Sequence, residues 1–90
     1  MRVLTIRDTY SLQDMTIVVY NSGAVDVRHG ATVMLRIASG ELRNVARLFP
    51  LAKFIVPVAV ALVSMSGEEV DRVAHEAEEQ IATWLTARER

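Results

Sequence analysis

Three groups of side chains in this sequence have types and spacings from which chemistry could be assembled. The first is cationic: Arg36, Arg43, Arg47 and Lys53, with Arg43 and Arg47 one helical turn apart. Guanidinium groups so placed can hold phosphate oxygens, so Arg36, Arg43 and Arg47 are candidates for anion or nucleic-acid contact. No aromatic residue is interleaved with them and the closing segment is acidic, so they read first as a solvated face or as ion-pair partners of that segment.

The second group is Asp71, His75 and Glu79, spaced by four on one helical ridge. Carboxylates on either side would favour the protonated imidazole, and the three could offer ligands to a metal. One exposed ridge is more simply a solvated charged face, and no metal is expected. The third group is the adjacent acids Glu68/Glu69 and Glu78/Glu79. Neighbours on a helix point about 100° apart, so neither pair can face itself across a substrate. His29 ends a strand on its apolar face, whereas Asp26 points to the opposite face of that strand. The glycines at 23, 30, 40 and 67 make neither a phosphate loop nor a dinucleotide fingerprint. The chain has no cysteine, which excludes disulfides and thiolate metal sites. No catalytic constellation emerges and no cofactor is implied, so an enzyme is the reading ranked last.

Composition points elsewhere. Ninety residues make one domain spanning 1–90, and a domain that small has a thin core. Yet 51% of its residues are hydrophobic, above the usual range of about 45–50%. The surplus must be hidden by a partner, by a second copy or by a membrane. The net charge is −1 but unevenly placed: residues 1–67 carry +3 and residues 68–90 carry −4. Such polarity suits ordered self-association. Nine arginines against one lysine, with abundant Ala and Val, suggest a GC-rich bacterial or phage genome. The opening residues lack the apolar run of a secretion signal, so a cytoplasmic location is expected.

The elements that would position these residues follow from pattern. Strands are predicted near 2–7, 15–20, 24–29 and 32–38, with a loop over Asp8–Asp14. Asn21-Ser22-Gly23 suits a three-residue hairpin turn with Gly23 left-handed. That turn sets Val19 against Val25, Ile17 against Val27 and Met15 against His29 on one face. Gly30 is read as a second turn, and Val33, Leu35 and Ile37 as one face of the next strand. Ser39 is placed as the cap of a short helix over 40–49. The uncharged stretch after Pro57 reads as an apolar strand over 58–64 joining the sheet, with a buried helix or a membrane-facing segment over 48–67 as alternatives.

The closing helix, 67–88, is the best specified element. Ser66 and Glu69 form a capping-box pattern. Val70, Val73, Ala74, Ala77, Ile81, Trp84 and Leu85 make an apolar stripe roughly 100° wide, and Arg88 and Arg90 suit its negative end. The fold class expected is therefore α+β, an antiparallel meander with this helix across one face. The leading functional expectation is a non-enzymatic protein-interaction or assembly module, a homo-oligomer, with Trp84 as a possible interface anchor. The alternatives are an anion or nucleic-acid binder through Arg36, Arg43 and Arg47, and a membrane-associated protein built on 48–67.

Overall fold

A computed structural model describes residues 1–8 and 13–88. The protein is α+β: a four-stranded antiparallel sheet in sequence order, β1 (Arg2–Asp8), β2 (Gln13–Val19), β3 (Val25–His29) and β4 (Thr32–Ile37), followed by two helices. The hairpin register is the one the turn residues dictate. Val19 pairs with Val25, Ile17 with Val27 and Met15 with His29. The Gly23 amide donates to the Tyr20 carbonyl at 3.0 Å, and Gly23 takes φ +93°, the left-handed position that a non-glycine residue adopts only under strain. Gly30, at φ +61°, turns the chain into β4. The expected loop over Asp8–Asp14 is shorter than predicted, since β1 reaches Asp8 and β2 begins at Gln13. Its remaining residues, 9–12, and Arg90 at the far end lie outside the described residues.

One face of this sheet is apolar by alternation: Leu4 and Ile6, Ile17 and Val19, Val25 and Val27, and Ile37 are all buried there. Both helices lie on that face. The first, α1 (Ala52–Ser64), buries Ala52, Ile55, Val58 and Ala61. The second, α2 (Gly67–Arg88), spans the predicted 67–88 and buries Val70, Ala74, Ala77 and Ile81. Ser66 caps it, its Oγ accepting the Glu69 amide at 3.4 Å. The reciprocal bond of a full capping box, from the Ser66 amide to Glu69, is not made. α2 runs beside β1 and guards its free edge: the Thr5 amide donates to Glu78 at 3.0 Å, and Arg2 is ion-paired with Asp71. Three residues of strand and seven of helix both advance roughly 10 Å, so the two contacts keep step.

Three expectations are corrected. The segment 58–64 is the second half of helix α1 rather than a strand joining the sheet. Only Met65 and Ser66 separate α1 from α2, a connection short enough to force an antiparallel helix pair. Pro57 is tolerated inside α1 because it sits on the exposed side. The amide it lacks would have met the carbonyl of Lys53, also exposed, which water can satisfy. The helix expected over 40–49 shrinks to a 3-10 turn, Asn44–Arg47. Ser39 does not cap it; its hydroxyl donates instead to the Ser22 carbonyl, tying this segment to the β2–β3 turn. Finally, Val27 pairs with Leu35 but Arg28 pairs with Val33, so Met34 is a bulge. The extra residue moves Val33 to the opposite face, and only Leu35 and Ile37 keep the predicted side.

The seating of α1 makes a direct prediction. Ile55→Ala, at a fully buried position, should cost about 2–5 kcal/mol in urea unfolding. Thr83→Ala, at an exposed position of α2, should stay within about 0.5 kcal/mol of the parent.

Candidate interaction surface

Helix α1 is apolar nearly all round: in Ala52–Ser64 only Lys53 and Ser64 carry polar side chains. A helix of that composition wants cover on every side. The sheet takes one side and α2 packs along another. The flank away from α2 carries Val56, Ala59, Val60 and Val63 at the i, i+3, i+4, i+7 spacing of a single stripe. Val60 is 46% exposed and Val63 is 76% exposed. The stripe forms one wall of an open groove of about 390 Å³, whose other wall is Gly40, Leu42 and Arg43. A second apolar groove, of about 530 Å³, lies on the other side of the 40–49 segment, between Met34, Leu35, Val45 and Leu48. Leu48 there is 92% exposed.

The cationic residues singled out in the sequence fall in different places. Arg36 is on the sheet face away from the helices, with its Nε 3.5 Å from Asp26. Arg28 approaches the same carboxylate at 3.5 Å, and the Tyr20 hydroxyl donates to it at 3.0 Å. Asp26 is buried at the centre of this cluster, on the sheet face away from the helices. Val18 is buried beside Asp26, and around this polar cluster the same face exposes part of Val3 and Val33. Arg43 and Arg47 are exposed on the segment after β4, Arg43 at the rim of the α1 groove. The three arginines thus do not converge, and an anion site would rest on Arg43 and Arg47.

On α2, His75 meets Glu79 at 3.1 Å, while Asp71 is engaged by Arg2. Among the described residues no cluster of three or more His, Cys, Asp or Glu is arranged to hold a metal ion. Trp84 is half-buried against the core and lines a shallow hollow with Phe54, Gln80 and Thr83. The groove wall Val56, Ala59, Val60 and Val63 was not singled out in the sequence. Its signal was the length of the uncharged run, which exceeds what one buried face needs.

Comparison with known proteins finds no matching family model, no matching curated protein and no matching solved structure. No helix among the described residues is long and apolar enough to cross a membrane.

The Asp26 cluster predicts its own cost of disruption. Asp26→Ala leaves two guanidinium groups side by side and a hydroxyl without its acceptor, and should lower stability by about 1–3 kcal/mol. Tyr20→Phe should cost about 1 kcal/mol. Added salt should recover part of the Asp26→Ala loss in urea unfolding, because it screens the unpaired cations.

Proposed function

We propose that this chain is a small non-enzymatic protein-interaction or assembly module that associates with a second copy of itself. The observation that carries the reading is the bare flank of α1, where Val60 and Val63 stand exposed beside an apolar groove. A domain with so small a core gains little by leaving an apolar helix flank in water, and such patches rimmed by polar groups are characteristic of interaction sites. The charge polarity of the chain adds to this. The groove rim carries Arg43, whereas the helical hairpin turns into an acidic first turn at Glu68 and Glu69.

The reading is tested by light scattering across the micromolar range. The apparent mass should rise with concentration toward about twice the 10.0 kDa of one chain. Val63→Glu should hold it near the single-chain value with the helical circular dichroism unchanged. A burial penalty of about 1.4 kcal/mol or more for the new carboxylate already weakens association tenfold. A mass that stays at one chain throughout would sink the proposal.

A further inference from the structure

We infer that the hollow between the start of α1 and the second half of α2 is a binding site for a quaternary ammonium group. Glu76, Glu79, Thr83, Trp84 and Ala87 line it at helical spacing along one stripe of α2. Phe54, in the first turn of α1, closes it from the other side. The space is about 540 Å³, inside the range of about 300–1,000 Å³ that small-molecule sites occupy. Its walls combine two kinds of group. Phe54 and Trp84 bring aromatic rings, both half-buried and held against the core. Glu76 and Glu79 bring carboxylates, both exposed.

That combination selects for positive charge. The face of an aromatic ring is electron-rich and attracts a cation, and the carboxylates draw the same sign. Among the described residues no Arg or Lys lines the hollow, so an anion would meet repulsion and no countercharge. A separate contact shows that the Phe54 ring accepts a cation. The Lys53 Nζ stands 5.0 Å from its centroid, inside the roughly 6 Å over which such contacts act.

The cation is a fully alkylated one. A primary ammonium or a guanidinium brings several donors, each needing an acceptor, and the rings and Ala87 offer none. Glu79 is already engaged with His75 at 3.1 Å. Glu76 forms no ion pair among the described residues. A quaternary ammonium has no donor to satisfy. Its methyl groups pack on the rings, and its charge needs only the field of the two carboxylates. The hollow lies on the α2 side of α1, away from the Val60 flank, so its occupancy and self-association are tested separately.

Trp84 is the single tryptophan of the chain, so its emission reports on the hollow directly. Choline chloride titrated into the full chain, at fixed protein concentration and constant ionic strength, should change that emission saturably. Half-saturation should fall in the millimolar range expected of a shallow site. The neutral analogue of choline, with a quaternary carbon in place of the nitrogen, should leave the emission unchanged over that range. Glu76→Gln/Glu79→Gln, at exposed positions, should weaken choline binding roughly threefold to tenfold. Phe54→Leu, with helical circular dichroism at the parent value, should weaken it by a similar factor. Lys53→Met takes away the cation that the chain itself sets on Phe54, and should tighten binding about twofold to threefold. A neutral analogue that binds as well as choline overturns the inference, since the hollow would then select shape and not charge. So does a choline response that fails to saturate, or one that the carboxylate variant and Phe54→Leu both leave unaltered.

Discussion

Ile55 and Val58, both fully buried, press α1 onto the apolar face of the sheet, and the rest of the layer is arranged around that contact. The inner face offers a continuous surface of Leu4, Ile17, Val19, Val25 and Val27. Two helices share it. α2 lies toward β1 and bonds to its free edge; α1 takes the ground beside α2. The chain between β4 and α1 must then fold down over what remains, which it does through Leu42, Leu51 and the half-buried Val45 and Phe49. Deleting the Ile55 contact would loosen α2 as well, since Ala74, Ala77 and Ile81 of α2 belong to the same buried core.

That arrangement shows what a sequence can and cannot disclose here. The β2–β3 hairpin and α2 were legible because independent signals coincide. A turn with a glycine at the left-handed position fixed the same register that apolar alternation demanded, and a serine cap preceded a clean helical period. α1 was not legible because its signal is degenerate. A run apolar at almost every position has neither period, and the proline within it is permitted at a strand start and, as it proves, on an exposed helix flank. The bulge at Met34 was illegible for the opposite reason. The alternation of Val33, Leu35 and Ile37 is clean, and a single extra residue reverses its meaning. Ser39 carries the same lesson on a smaller scale: a residue type that caps helices found a better acceptor in the Ser22 carbonyl, which is distant in sequence.

The candidate surface was visible in outline only. A hydrophobic share above the norm and a charge split between the two parts of the chain both pointed to association, but neither located it. The arginines that looked like a cluster in sequence are separated by the sheet. Arg36 is drawn to Asp26, its cross-strand partner, because alternation puts both on the outer face. Pairing of strands, not nearness along the chain, decides which charges meet.

The strongest constraint on any assembly is how little of this surface is both apolar and free of competing contacts. Sheet proteins ordinarily risk joining through their edges. Here one edge is capped by a carboxylate and an ion pair and the other is kinked, so the backbone is a poor adhesive. The outer face is taken by a buried aspartate with a hydroxyl and two cations gathered round it. Such a cluster is costly to desolvate against a partner unless that partner replaces every contact. Beside the partly exposed Val3 and Val33 of that face, the more exposed apolar side chains lie on the helical side: the α1 flank and the Leu48 groove. The α1 flank is the more exacting of the two, since it lies on a helix already anchored by Ile55 and Val58. A rigid element needs no ordering before it binds, and an interface built on it loses less entropy than one built on the 40–49 segment.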